Sequence, residues 1–510
     1  MEEDIFQVSD EPDYLEELEI MKSRGFLPYV VYAYRIKQLL DRLRIPFFIR
    51  GSAGSSVVLY RLGLTTVDPR SYGAVRERFI HSQREQMGDI DFDLPSGSRP
   101  LLFRHLQGLF GNDKIVCRIS NHVFFKEKSA LRHSLRNDYL YRKKISSEAL
   151  EKKCEEFPGC FQKTTEYVGQ FHHYSKHVGG ICIVTPDTFK TNRCGSGDGL
   201  LPQIRWNKQE VERQGMIKID LLSNNALQIL SEMDPQFVFK PPEEEDERVM
   251  DLFRRADTLG IFYAESPMMR ECLRKYRPKN ILDLAICFAV IRPSNKTLRQ
   301  EIFRLRSKKS QSHYIFDDDV IQGIALTRDL PLSEADTVRR EIMKKQRKGE
   351  AVPFWVKKNG KLTYCHLYGF CKSHAMHYAI LMYWTAYYKV HHMETFYRVL
   401  FSSLCRYPRS YRKWVYAMDC IQHGFSISPI YRGLHKKQRW HVDRSKKRFA
   451  CDGHKSQTFF KPLSVAQQIQ QFDFFSGCLQ EIPDGQFALQ RGCYRSCWCA
   501  ERKELVDIIY

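Results

Sequence analysis

Residues 88–93, Gly-Asp-Ile-Asp-Phe-Asp, place carboxylates at every second position: Asp89, Asp91 and Asp93, with Ile90 and Phe92 between them. In an extended strand, side chains two apart share a face. The spacing therefore predicts three acids side by side, with Ile90, Phe92 and Leu94 buried behind them. Like charges that close repel unless a cation or a proton sits among them. Three readings follow: a metal site, a calcium loop, or an acidic strand edge facing solvent. An EF-hand loop needs Gly at its sixth position and Glu at its twelfth. Counted from Asp89, those places hold Leu94 and Pro100, which excludes the calcium loop.

Forty residues earlier, the loop Arg50-Gly51-Ser52-Ala53-Gly54-Ser55-Ser56 offers backbone N–H groups, hydroxyls and a leading guanidinium, a set suited to a triphosphate. No Gly-Lys-Ser/Thr follows, so it is not a Walker loop. A Gly/Ser turn alone is usually only a turn. Joined to an apolar-flanked Asp-x-Asp, it becomes the arrangement of nucleotidyl transfer, in which paired carboxylates hold two Mg²⁺ ions roughly 3.5–4 Å apart. A third carboxylate is then needed. In Met-Ile-Lys-Ile-Asp-Leu-Leu (216–222), Ile217, Ile219 and Leu221 alternate with Lys218 and Asp220. An aspartate on such a strand is costly unless it is paired or metal-bound.

The elements that must position these residues are read from pattern. Residues 14–46 predict two amphipathic helices, then the strand Pro-Phe-Phe-Ile-Arg. Residues 100–165 read as mostly helical and basic, with strands at 176–186 and 215–222. Pro241-Pro242 and the acids after them predict the start of a long helical region reaching about residue 425. The 510 residues carry a net charge of +20, are 43% apolar and 13% aromatic, and so describe a folded chain of several subdomains with a polyanionic partner. The sixteen cysteines follow no framework, and no apolar leader or membrane-length run is seen. Reduced thiols in a cytoplasmic protein with no membrane partner are expected.

With its order of motifs the chain resembles the bacterial family C replicative polymerases, the alpha subunits of DNA polymerase III. The stretches are RGSAGSSVVLYRLGLTTVDPRSYGAVRERFI followed by GDIDFDL, then HHYSKHVGGICIV, QEVERQGMIKIDLL, LGIFYAESPMMR, ADTVRREIMKK and LYGFCKSHAMHYAILMYWTAYYKVHH, collinear over about residues 14–425. The resemblance implies an α+β fold with a nucleotidyltransferase-like (polymerase beta-like) palm and helical thumb and fingers. It implies catalytic, Mg²⁺-binding roles for Asp89, Asp91 and Asp220, and nucleotide binding by Arg50, Gly51, Ser52, Ser55, Ser56, Lys128, Arg132, Lys176 and His177. Arg339, Arg340, Lys372 and His374 match finger positions that approach DNA. The implied organisation is N-terminal helices and first palm part (1–120), thumb-like insertion (121–168), second palm part (169–225), fingers (226–430) and a basic, Cys-rich tail (431–510).

The sequence departs from the family at several points. Gly88 stands where the family has Pro, Cys371 replaces an Asn, and FYAES and RPSN replace the usual Phe-Gln-Leu-Glu-Ser and Arg-Pro-Gly-Pro. The family's N-terminal phosphoesterase domain and its clamp-binding and OB-fold regions find no counterpart, which predicts no intrinsic proofreading and low processivity without a clamp or other replication protein in trans. In the tail, Lys436, Lys437 and Arg439 interleave with aromatics in a way suited to DNA. Cys451, His454, Cys493 and Cys497 have zinc-ligand chemistry at irregular spacing and read better as thiols. The expectation is a DNA-directed DNA polymerase acting on primer–template DNA and dNTPs in replication. Its alternatives are a template-independent nucleotidyltransferase or a DNA-binding accessory.

Overall fold

The structure, a computed structural model, describes residues 4–84, 88–141, 143–195, 199–292, 315–348, 350, 355–358, 361–364, 370–404, 415–416, 419–420 and 422–427, and the strands at 440–443, 448–451, 479–482, 486–489, 496–499 and 504–507. Only the backbone is described at 346–347, 355–358, 361–364, 404 and from 426 onward. Two compact units emerge: Met1–Tyr34, Leu40–Gly97 and Asn224–Tyr510 form one, and Arg35–Leu39 with Ser98–Ser223 form the other. Both mix helices and strands, so the fold is α+β. No helix among the described residues is long and apolar enough to cross a membrane.

The strands that carry the candidate carboxylates are β1 (Phe48–Arg50), β2 (Asp91–Pro95), β3 (Ile115–Phe124), β4 (Phe171–Val184) and β5 (Lys218–Asn224). In the first unit, β1 and β2 pair antiparallel with Arg50 opposite Asp91 and Phe48 opposite Asp93. Ile90, Phe92 and Leu94 are fully buried, as the alternation requires. Regular strand starts only at Asp91, so Asp89 precedes it on an exposed approach.

Two N-terminal helices form as expected, at Pro12–Ser23 and Leu27–Arg42. The helical region after residue 240 starts later than its prolines suggest. Asp246 caps the Glu247–Arg255 helix by accepting from the N–H groups of Arg248 and Val249. At the centre lies the Lys372–His391 helix, buried on most of its circumference. It packs on the Ile281–Val290 helix within a core that also includes Phe48, Phe239, Phe253 and Tyr397. A helix apolar all round is a core helix. This one brings Ser373, His374, His377 and Tyr378 to β1 and its loop.

In the second unit, β3 pairs antiparallel with β4, and β4 with β5, with Gly180 opposite Asp220. The mostly helical reading of residues 100–165 is corrected here, because Ile115–Phe124 is a ten-residue strand. Its β-branched start, Ile115-Val116, and buried Ile119 suit a sheet, and pairing along β4 decides what local propensity leaves open. β4 is also longer than expected, starting at Phe171. Helices at Glu127–Asn137, Leu150–Glu155 and Cys160–Tyr167 pack around Leu131, Leu135, Leu150, Cys154 and Cys160.

Candidate active site

In the first unit, Arg50 and the aspartates of β2 form one electrostatic group. The Arg50 guanidinium lies 3.5 Å from Asp93 Oδ1 and 4.0 Å from Asp91 Oδ2. Asp93 Oδ2 accepts from Tyr378 Oη at 2.9 Å and from Asn224 Nδ2 at 3.1 Å. Burial raises the Asp93 carboxyl above its usual range, against the pull of Arg50 and of those donors. Asp91 is half-buried, and Asp89 is exposed. The third aspartate of the repeat is therefore a structural anchor for Arg50, Tyr378 and Asn224, the first faces outward, and the second lies half-buried between them. Sequence reading missed Asn224 and Tyr378. The signal for Asn224 was a Ser-Asn-Asn run after a strand, since its side chain also accepts from Leu227 N–H as a helix cap.

The Gly51–Ser55 loop is held from both sides. Ser55 Oγ donates to Ser373 Oγ at 3.1 Å, and Ser373 Oγ donates to the Gly51 carbonyl at 2.8 Å. Ser56 Oγ donates to the fully buried Glu17 and also caps the Val57–Arg61 helix by accepting from Leu59 N–H. Val57 N–H donates to Glu17 at 2.9 Å. Burial pushes the Glu17 carboxyl up to about 7 despite these donors. Ser55 and Ser56 thus turn inward to fix the loop, whereas Ser52 is half-exposed. Gly54 backs onto His377, whose Cε1 would lie 2.4 Å from any added Cβ.

Two departures from the family pattern have local reasons. A Cβ at Gly88 would meet the Phe79 ring at 2.4 Å, so the chain there passes too close for a side chain. Cys371 makes no side-chain cap for the helix it precedes, and buried Asp318 accepts from Lys372 N–H at 3.1 Å in its stead. Asp318 also accepts from Val75 N–H at 2.9 Å, and burial pushes its carboxyl up to about 6.

The predicted finger cations have distinct placements. Arg339 is buried between Asp336, at 2.7 Å, and Asp317, at 3.3 Å. Arg340 donates to the other Asp336 oxygen and is half-exposed. Lys372 Nζ donates to the Gly73 carbonyl at 3.1 Å. His374 stacks on Tyr378 with centroids 4.6 Å apart, and burial, then Arg50 and His377, push it down to about 3. It is uncharged at neutral pH. Lys436, Lys437, Arg439, His454 and Cys493 lie outside the described residues, and the side chains of Cys451 and Cys497 do too.

In the second unit, Asp220 Oδ2 accepts from Lys218 Nζ at 2.6 Å. Its Oδ1 is buried without a hydrogen-bond donor, 3.7 Å from His177 Nδ1. That nitrogen already accepts from Gly180 N–H at 2.7 Å. Burial lowers the His177 pKa, and the ring is a neutral acceptor on this side. A buried carboxylate oxygen lacking a donor is costly; a divalent cation would satisfy it. Lys176 is exposed on β4, opposite Ser120. Lys128 and Arg132 project from the Glu127–Asn137 helix, with Arg132 donating to Ser147 Oγ at 2.9 Å.

Among the described residues, one other set has metal-ligand chemistry: Asp257, Asp419 and His423. Its charge is already met by Lys389, whose fully buried ammonium lies 2.9 Å from Asp257 and 2.8 Å from Asp419. That set is an ion-pair network.

Residues 11–223 match the family described as "Bacterial DNA polymerase III alpha NTPase domain", and residues 220–354 match the "Bacterial DNA polymerase III alpha subunit finger domain". The chain is 28% identical over 412 residues to a DNA polymerase III subunit alpha of Thermotoga maritima, covering 76% of this chain and 46% of that protein. An error-prone DNA polymerase of Idiomarina loihiensis is 26% identical, with 77% and 44% covered. A DNA polymerase III subunit alpha of Staphylococcus epidermidis is 26% identical, with 70% and 39% covered. The chain spans about half the length of the curated relatives it matches.

Proposed function

The chain belongs to the bacterial DNA polymerase III alpha family, and from that premise we propose that it is a DNA-directed DNA polymerase that adds dNMPs to a primer 3′ end in replication. The two adjoining family matches, to the NTPase and finger domains, support this reading over a template-independent transferase, since fingers serve to read a template. On this reading the strands belong to a nucleotidyltransferase-like palm, residues 121–168 act as a thumb and 226–430 as fingers. The protein works in the cytoplasm and takes any clamp in trans.

Asp89, Asp91 and Asp220 would hold two Mg²⁺ ions, and the single observation that carries the metal assignment is the donor-less buried oxygen of Asp220. Bound there, Mg²⁺ supplies the charge that makes the primer 3′-hydroxyl nucleophilic and neutralises departing pyrophosphate. Lys218 orients Asp220 from the other oxygen. Arg50 bridges Asp91 and Asp93, its guanidinium 4.0 Å from one and 3.5 Å from the other. The Gly51–Ser56 loop, braced by Glu17 and Ser373, presents Ser52 and backbone N–H groups to the nucleotide phosphates. Lys128, Arg132, Lys176 and His177 would line the nucleotide and primer end, with Arg340 and Lys372 toward template, Arg339 fixing the pair, and the neutral His374 ring packing beside them.

Primer extension with Mg²⁺ and four dNTPs tests this directly. Extension should stop with chelator and in Asp220→Asn, which keeps the shape of the side chain and removes its charge. An Asp220→Asn protein extending at the wild-type rate would refute the metal assignment.

A further inference from the structure

Tyr263 stands in a turn that its side chain does not suit. Ala264 N–H donates to the Ile261 carbonyl at 3.0 Å, closing a turn with Tyr263 at its third position. There φ is +66°, in the left-handed region that such a turn normally fills with Gly or Asn. A bulky residue in that conformation is an outlier. The turn is pinned by its neighbours. Thr258 Oγ1 donates to the Ala264 carbonyl at 2.6 Å, and Glu265 Oε2 accepts from Gly260 N–H at 3.2 Å and from Tyr416 Oη at 2.6 Å. Strained residues persist only where their surroundings over-determine them, and they cluster at active sites and ligand clamps.

The strained backbone sets the Tyr263 ring edge-on against Tyr378, with centroids 4.7 Å apart and planes at 77°. Phe288 and His374 lie parallel to the Tyr378 ring, at 5.5 and 4.6 Å. Three aromatic neighbours thus fix one orientation of that ring. In it, Tyr378 Oη accepts from Arg50 Nη1 at 3.4 Å and donates to Asp93 Oδ2 at 2.9 Å. Arg50 in turn stands between Asp93 and Asp91. The Tyr263 hydroxyl faces the same group. Burial, then the Asp93 charge, pushes it up to about 12, so it stays protonated. Half-buried itself, Tyr263 shields these contacts from water, where a low local dielectric strengthens them.

We propose that Tyr263 is a positioning residue for the carboxylate centre. Through the Tyr378 ring it fixes the Asp93–Arg50 pair, and with that pair the orientation of Asp91. The proposal rests on the reading in which Asp91 helps to hold a divalent cation.

The test uses the full chain and Mn²⁺ alone, titrated by electron paramagnetic resonance. Tyr263→Asn tolerates the left-handed backbone but removes the ring, and should weaken Mn²⁺ binding about tenfold or more, as loss of an outer partner does. Tyr263→Phe keeps the ring and should stay within about twofold of wild type. In a Tyr378→Phe background the hydroxyl link is gone, and Tyr263→Asn should add less than about twofold. Melting temperatures check the fold. Should the Asn variant fail to fold, Tyr263→His, which tolerates the same backbone with a smaller ring, replaces it, with an expected loss of about threefold or more. Wild-type affinity in the folded Asn or His variant overturns the proposal. So does an equal loss with and without the Tyr378 hydroxyl, which marks a purely structural role, and so does a wild-type chain that binds no Mn²⁺. Primer extension by the wild type is scored separately. Normal Mn²⁺ binding with no extension refutes the polymerase reading and leaves the Tyr263 result standing, whereas normal extension with Mn²⁺ binding unchanged by the variant refutes the Tyr263 role alone.

Discussion

Lys218 Nζ donates to Asp220 Oδ2 at 2.6 Å, two residues along the same face of β5. One oxygen of this aspartate is thereby fixed by a buried ammonium, and the other is left without a donor. The arrangement separates orientation from reactivity within one side chain.

On the proposed metal role of Asp220, Lys218→Met should lower kcat for primer extension by roughly 10- to 100-fold, the usual cost of losing a partner that orients a metal ligand. The Mg²⁺ concentration for half-maximal rate should shift as well. Unchanged kcat and Mg²⁺ dependence would mean that the pair does no orienting.

Gly54→Ala would put a Cβ 2.4 Å from the His377 ring, inside a core where His377 also meets Thr65 Oγ1 at 3.1 Å. Forced overpacking of this kind costs about 1–3 kcal/mol. Denaturant melts should show that loss, and Gly54→Ala in a His377→Ala background should recover part of it.

Lys389→Met would leave buried Asp419 and half-buried Asp257 stripped of their shared ammonium. Removing one partner of a buried pair typically costs about 3–5 kcal/mol. The defect should shrink toward acid pH, where protonation relieves the orphaned charges. Equal losses at pH 4 and pH 8 would contradict the electrostatic account.

Glu17 and His423, together with the raised carboxyls of Asp93 and Asp318, make the wild-type protein less stable as pH rises. Burial pushes Glu17 up to about 7 in the folded state, so folding favours its protonated form. That contribution is full below the ordinary carboxylate value near 4.3 and is lost as pH climbs through about 7. For His423, burial opposes the charged ring, but the hydrogen bond to Asp257 and the charge of Asp419 prevail and raise its pKa. Its contribution is complete below about 6.5 and is lost above the raised value. Melting temperature should therefore fall between pH 5.5 and pH 8.5, and Glu17→Gln should flatten the curve. A Glu17→Gln profile parallel to wild type would remove Glu17 from the explanation.

By itself the sequence determined the periodic and the local. The alternation around Asp89, Asp91 and Asp93 predicted the burial of Ile90, Phe92 and Leu94, though not that of Asp93, and that of 216–222 put Asp220 beside Lys218. Both follow from a two-residue repeat that needs no partner to be read. What the tertiary structure decided is which polar groups meet across long separations. Asp93 became an anchor because Tyr378, far along the chain, and Asn224 reach its oxygen. Ser55 and Ser56 turned inward because Ser373 and Glu17 wait there. Arg339 left the surface because Asp317 and Asp336 enclose it. Residues 115–124 became strand through pairing with β4. In each case a buried polar or charged group needs a partner that only folding supplies, and local spacing does not say which one.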